Sequence, residues 1–287
     1  MDRRTKIVAT LGPACDTPEA IAGLVAAGMD VARLGLAHGT VDDHLERLDR
    51  VRTAAAAAGR TVAVLADLPG PKVRCAPFPE DGVFLAEEAV VSLVPGDAAS
   101  SSDAIEVDYA SLLEDLAPGD RVTLGDGALV LAVEAHREGG LLARVVAGGR
   151  VMGSPGVHLP DERVRLATPT AEDLALVDAL VPAGVDAVAL SFVRSAEDLH
   201  RARAALDAAV TRAGTGVMPV LLAKIETRAA ADRLDDVMEA ADAVMVARGD
   251  LAISCPIEEV PHLQKRIVRS CVGWGRPVIT ATQMLES

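Results

Sequence analysis

Lys224-Ile225-Glu226 and, 24 positions on, Arg248-Gly249-Asp250 place one ammonium and two carboxylates at the ends of two successive apolar runs, Val217–Ala223 and Ala243–Ala247. A helical pattern follows each triplet, so these charges fall at strand ends in a strand–helix repeat, where an α/β barrel gathers its reactive side chains. Two carboxylates sharing a site with phosphate are a usual protein contribution to Mg2+ binding, because that ion keeps water and phosphate oxygens in its other positions. The lysine carries a second signal. Of 28 basic residues only four are lysines, namely Lys6, Lys72, Lys224 and Lys265. A composition that has drifted to arginine retains lysine where a compact point charge is needed. The plain alternatives are a surface ion pair between Lys224 and Glu226, a helix cap at Asp250, and lysines that merely survived the drift.

The elements that must carry these residues follow from apolar runs and their punctuation. Strand-like runs bounded by turn signals lie at Lys6–Leu11, Asp30–Leu34, Thr61–Leu68, Ala187–Phe192, Val217–Lys224, Ala243–Val246 and Pro277–Ala281. Helical patterns alternate with them at Pro18–Ala26, Val41–Ala58, Ala171–Val181, Ala196–Arg212, Ala229–Ala240 and Ile257–Trp274. Thr17-Pro18 is an N-cap followed by proline at the first helical position. This alternation predicts parallel βα units. The rhythm breaks between about Val73 and Leu166, where short alternating segments (Ala89–Val94, Arg121–Leu124, Ala128–Val133, Leu141–Val146) are joined by pairs such as Pro118-Gly119 and Gly139-Gly140. The expectation is an α/β protein: a (β/α)8 barrel of the TIM type with seven strands present, formed by residues 1–72 and 167–287, and a small antiparallel β-barrel domain, residues 73–166, inserted after the third strand. Such a barrel would lack its last strand, and its exposed edges predict self-association or a longer natural product.

Bulk properties bound the function classes. Only 2% of the 287 residues are aromatic although half are hydrophobic, so the core must be built from Ala, Val, Leu and Ile, which suits parallel strands covered by helices. A formal net charge of −14 argues against nucleic acid or an anionic membrane as partner, but local basic groups and a metal ion can still invert the field inside one cleft. Cys15, Cys75, Cys255 and Cys271 show no C-x-x-C spacing, so free thiols are expected rather than a metal or disulfide framework. No apolar run approaches the roughly 18 residues of a membrane span. The N-terminus lacks a signal-peptide apolar region, and the chain is read as cytoplasmic.

A barrel interrupted after strand three, with K-I-E after strand five and A-R-G-D after strand six, resembles pyruvate kinase. The same resemblance runs through Thr5-Lys6-Ile7-Val8-Ala9-Thr10-Leu11-Gly12-Pro13-Ala14, Ala27-Gly28-Met29-Asp30-Val31-Ala32-Arg33-Leu34, Gly184-Val185-Asp186-Ala187, Ser191-Phe192-Val193-Arg194 and Ile279-Thr280-Ala281-Thr282-Gln283-Met284-Leu285-Glu286-Ser287. It covers essentially the whole chain in order; the family's C-terminal regulatory domain has no counterpart here. The resemblance implies transfer of the phosphoryl group of phosphoenolpyruvate to ADP, giving pyruvate and ATP, in glycolysis. Its residue roles are then Glu226 and Asp250 as Mg2+ ligands (Mn2+ being a possible substitute), and Lys224 as the charge that stabilises the transferring phosphoryl and the enolate. Arg33 would bind the substrate phosphate, the Gly249 and Asp250 amides its carboxylate, and Thr282 the same substrate. A homo-oligomer is the assembly it implies.

Departures from the family pattern sharpen the expectation. Potassium-dependent members read R-L-N-F-S-H where this chain has Arg33-Leu34-Gly35-Leu36-Ala37-His38, and L-D-T-K-G-P-E-I-R where it has Leu65-Ala66-Asp67-Leu68-Pro69-Gly70-Pro71-Lys72-Val73-Arg74. Two K+-ligating side chains are thus replaced, Asp67 is kept, and Lys72 stands where a glutamate is usual. That resembles the potassium-independent branch, in which an ammonium at position 72 makes a monovalent cation unnecessary and repulsive; K+ is therefore not expected to be required. The alternative is loss of a site no longer used. On the nucleotide side Arg74 and His38 are in register, but the usual lysine before G-V-N-L-P is absent from Pro155-Gly156-Val157-His158-Leu159-Pro160, the Asp-Asp-Gly turn reads Gly125-Asp126-Gly127, and L-G-V-E has become Leu251-Ala252-Ile253-Ser254. Two other readings stay open: a non-catalytic relative or fragment that binds Mg2+ or phosphoenolpyruvate, and a Mg2+-enolate lyase or aldolase on the related phosphoenolpyruvate/pyruvate barrel.

Overall fold

A computed structural model describes residues 4–125, 127–160, 163–164 and 166–282. The first βα units are β1 (Val8–Leu11), α1 (Pro18–Ala27), β2 (Val31–Gly35), α2 (Val41–Ala57) and β3 (Ala63–Asp67). The chain then builds the insert: β4 (Val83–Leu85), β5 (Val90–Pro95), β6 (Ala104–Val107), α3 (Leu112–Asp115), β7 (Arg121–Leu124), β8 (Leu129–Arg137), β9 (Gly140–Ala147), β10 (Gly149–Val151) and β11 (Val157–His158). It returns through α4 (Ala171–Leu180), β12 (Ala187–Leu190), α5 (Ala196–Ala213), β13 (Val220–Ile225), α6 (Arg228–Asp232), α7 (Leu234–Ala240), β14 (Ala243–Val246), α8 (Arg248–Ser254), α9 (Val260–Trp274) and β15 (Val278–Thr280).

β1-β2-β3-β12-β13-β14-β15 form one seven-stranded parallel sheet, with β3 and β12 adjacent across the insert. The helices start where local chemistry dictates. The Thr17, Thr40 and Thr170 hydroxyls accept the amides of Ala20, Asp43 and Asp173, and Asp43 and Asp173 return the bond to the cap amide. The predicted single helix over Ala229–Ala240 is two, because Arg233 leaves helical geometry (φ −106°, ψ 36°). Neither proline nor glycine marks that break. The predicted helix at Ile257 begins as a 3-10 turn, Ile257–Glu259, ahead of α9.

One apolar core runs from Leu11 through Leu68, resumes at Leu176 and packs helices against the outer face of the sheet. A separate small cluster, Leu65, Ala189, Leu222, Ala243 and Met245, fills the concave face. The insert has its own core, from Val73 to Val157 with Leu159, Val164 and Leu166 packed on it. It contains a six-stranded sheet, β11-β7-β8-β9-β5-β6, and a two-stranded one, β10-β4. One pairing departs from the antiparallel expectation: β5 and β6 run parallel, because the loop Gly96–Asp103 carries the chain back to the start of β5 before β6 begins. Among the described residues, no helix is long and apolar enough to cross a membrane.

Candidate active site

Side chains alternate across a strand, so residues two apart share a face. Leu65, Ala189 and Leu222 lie on the concave face; Asp67, Ser191, Lys224 and Glu226 continue the same rows to the C-terminal end of the sheet. Strand register brings the rows together, with Ala189 opposite Asp67 and Leu190 opposite Ala223.

The centre of the site is Lys224, which is 7% exposed. Its Nζ lies 2.7 Å from Glu226 Oε1, 3.2 Å from Asp67 Oδ1 and 2.6 Å from Ser191 Oγ. Ser191 and Glu226 accept hydrogen bonds from the ammonium, whereas Asp67 Oδ1, without a hydrogen-bond partner among the described residues, pairs with it by charge alone. Burial pulls its pKa down, but the carboxylates of Glu226 and Asp67 outweigh that and hold it above the ordinary lysine value, so Lys224 is a fixed cation. Glu226 is 2% exposed, and its Oε2 accepts the Phe192 amide at 2.7 Å. Burial pushes its pKa up; nearby Asp250 adds to this, and Lys224 opposes both. Asp67 also anchors Arg33: Nε donates to Oδ2 at 2.7 Å, Nη2 makes a second contact to the same oxygen, and Nη1 donates to Thr10 Oγ1 at 2.9 Å. Asp67 thus faces two cations, Arg33 and Lys224.

Asp250 and Gly249 lie in the first turn of α8, ahead of the bond from the Leu251 amide to the Ala247 carbonyl. Thr282 adopts a positive φ of 66° two residues past β15, and a Cβ added to Gly249 would sit 3.8 Å from its Cγ2. Arg248 fastens these two segments: Nε donates to the Ala281 carbonyl and Nη2 to the Thr282 carbonyl, both at 2.8 Å. Gln283–Ser287, part of the sequence resemblance, lie outside the described residues, as does Asp126 of the Gly125–Gly127 turn.

A cleft of about 1310 Å³ opens between the insert and the C-terminal end of the sheet. Lys72, Arg74, Arg121, His158, Glu226 and Asp250 line it with Ile253 and Ile257. Partial burial and the nearby charges of Arg74 and Lys224 pull the Lys72 pKa below the ordinary lysine value, with Asp250 and Asp67 opposing. Arg74 Nη1 donates to the Ser154 carbonyl at 3.1 Å. His38 is exposed and is not among the residues lining the cleft, so of the two residues predicted for the nucleotide the structure brings only Arg74 there. An added Cβ at Gly35 would meet nothing within 4 Å.

The donor set suits a hard divalent cation. Glu226 and Asp250 offer carboxylate oxygens close enough for their charges to repel, and Asp250 adds to burial in raising the proton affinity of Glu226, a cost that an added positive charge would relieve. Among the described residues no group of three or more His, Cys, Asp or Glu side chains gathers as an all-protein cage. Two carboxylates with the remaining positions left to substrate and water fit Mg2+. Three contributors were not predicted from sequence as such: Ser191, the Phe192 amide and Arg248.

Comparison with known proteins gives this geometry a lineage. The family "Pyruvate kinase, barrel domain" matches residues 2–287. The chain is similar to a pyruvate kinase of Mycobacterium intracellulare, 43% identical over 287 residues, all of this chain and 60% of the relative. A Mycobacterium tuberculosis pyruvate kinase gives the same figures, and one from Geobacillus stearothermophilus is 38% identical over 289 residues, covering 48% of its length. The chain therefore spans about 60% of the length of the mycobacterial relatives it matches. An alignment of that extent, through the parallel sheet and the insert alike, makes the chain a member of the pyruvate kinase family.

Proposed function

We propose that this chain carries the site for phosphoryl transfer from phosphoenolpyruvate to ADP, yielding pyruvate and ATP. The observation that supports this best is the Lys224 ammonium, buried and fixed among Ser191, Glu226 and Asp67 beside Asp250. In the transfer the enol oxygen–phosphorus bond breaks, a terminal ADP oxygen bonds to phosphorus, and the enolate then takes a proton. Negative charge moves between the phosphoryl and enol oxygens, and a preoriented cation in a water-poor site stabilises it without reorganising. Lys224 is that cation. Arg33 would hold the substrate phosphate through donors left over from Asp67 and Thr10, and the amides of Gly249 and Asp250, with Thr282, would hold its carboxylate. Glu226 and Asp250 would hold Mg2+, or Mn2+ in its place, which would supply positive charge to offset the negative charge of the transferring phosphoryl group. Arg74 would meet the ADP phosphates.

The reading extends to the monovalent cation. Lys72 lines the cleft, near enough to Lys224, Asp250 and Asp67 for their charges to act on it. Gly35, Ala37 and Leu68 offer no side-chain ligand for K+. Turnover is therefore expected to need Mg2+ and not K+. Pyruvate formation from phosphoenolpyruvate and ADP, measured with Mg2+ in K+ or Na+ buffers, tests both parts. Equal rates are expected. A many-fold rise in K+ would overturn the cation assignment alone; no ADP-dependent pyruvate would overturn the phosphotransfer reading, and retro-aldol or lyase products would replace it.

A further inference from the structure

Resting on the phosphotransfer reading, we propose that Ser191 is a positioning residue whose hydroxyl fixes the Lys224 ammonium and ties it to Leu68–Gly70, the segment leading into the insert. Ser191 is 2% exposed, at the turn that ends β12. A serine hydroxyl has one proton, and here it goes to the Leu68 carbonyl at 2.6 Å. Toward Lys224, also 2.6 Å away, the same oxygen can only accept. The other two partners of the ammonium are carboxylates, which attract it from any direction. The neutral, directional acceptor is the one that sets its orientation.

The turn reaches further than this one bond. Phe192 has a positive φ of 54°, and its amide holds Glu226 Oε2; strained backbone of this kind persists where the surroundings determine it. Gly70, at φ 67°, lies flush against the turn, so that an added Cβ would come 2.9 Å from Phe192 Cδ2 and 3.0 Å from Ser191 Cβ. The Leu68 amide is fixed to the Ala189 carbonyl at 3.0 Å and the Gly70 amide to Asp173 Oδ1 at 3.0 Å. Movement of the insert that shifts Leu68 therefore acts on Lys224 through the Ser191 hydroxyl, beside the charge contact of neighbouring Asp67. Ser191 makes this connection without belonging to the ammonium–carboxylate set.

The scarcity of lysine supplies the test. Protein labelled with 13C at lysine Cε gives four signals, and Lys224→Arg assigns the one from Lys224. In Ser191→Ala that signal moves while the other three stay, kcat falls roughly 10- to 100-fold, as expected for a misplaced catalytic group, and KM for phosphoenolpyruvate changes less than about threefold. Ser191→Thr, which restores the hydroxyl, returns the signal and kcat toward wild type. The proposal is overturned if Ser191→Ala leaves the signal in place, whether or not kcat and melting temperature fall, or if the signal moves while kcat does not. Should wild-type protein form no pyruvate, the phosphotransfer reading fails by itself, and the resonance comparison still decides the positioning.

Discussion

The floor of the site and the wall of the cleft are built to different standards. On the floor, Lys224, Glu226, Asp67, Arg33 and Ser191 are held by two or more partners each, and all but Arg33 are buried. On the wall, Lys72 and the side chains of Arg74 and His158 face open volume, and His158 Nε2 lies 3.1 Å from a single backbone carbonyl, that of Gly125. A preformed array stabilises charge that appears only in the transition state. A solvated wall contributes mainly to binding a flexible, charged ligand. The contrast divides the expected effects: floor substitutions should lower kcat, and wall substitutions should raise KM for the nucleotide.

The largest expected effect is that of Lys224→Met. Removing the cation strips the site of its central charge, leaving buried Glu226 without its ion-pair partner and Asp67 with Arg33 alone. We expect kcat to fall by about 10²- to 10³-fold or more, and stability to drop by about 3 kcal/mol, the scale for breaking a buried ion pair by removing one partner. Steady-state kinetics and denaturant unfolding check the two parts. Equal loss in kcat and KM would erase the proposed division. Next is Asp67→Asn, which weakens the hold on Arg33 and Lys224 together. A kcat loss of roughly 100-fold is expected from misplacing both groups, and an effect confined to KM for ADP would put Asp67 on the wrong side of the comparison.

How far the sequence revealed these parts follows the same contrast. Lys224, Glu226 and Asp250 were legible because strand ends and period-two alternation locate them without tertiary knowledge. Ser191 is visible in the sequence only as part of a motif, since its bond to Lys224 depends on the β12–β13 register and its bond to Leu68 on the fold at the start of the insert. Arg248 was likewise part of a motif, and its grip on Ala281 and Thr282 appears only once β15 lies beside β14. The break at Arg233 and the parallel β5–β6 pair have no local signature, because both are set by what the neighbouring segments pack against. His38, which family register assigns to the nucleotide, is exposed and lies outside the residues that line the cleft.

On the wall, Arg74→Ala should raise KM for ADP about tenfold, the scale of about 1.4 kcal/mol for one charge-assisted contact, with kcat within about threefold. A kcat collapse with unchanged KM would move Arg74 to the floor. The smallest effect lies on the flank, at His44 in α2. This residue is 1% exposed, its Nδ1 is 3.3 Å from Arg47 Nη1, and its Nε2 has no hydrogen-bond partner among the described residues. Burial and the Arg47 charge pull its pKa below 6.5. The unfolded chain then binds the proton more readily, so His44 contributes stability above the unfolded pKa that is lost as pH falls through the folded one. The melting temperature should decline more steeply with acidification in wild type than in His44→Gln, and parallel curves would contradict the assignment.

The most direct measurement follows phosphorus itself. Phosphoenolpyruvate, ADP and Mg2+ are incubated with wild-type protein or Lys224→Met, and 31P spectra are recorded with time. The account predicts that the phosphoenolpyruvate signal declines in step with growth of the ATP γ-phosphoryl signal in wild type, and that both stand still in the variant. Inert spectra with wild type, inorganic phosphate in place of ATP, or equal transfer by Lys224→Met would contradict it.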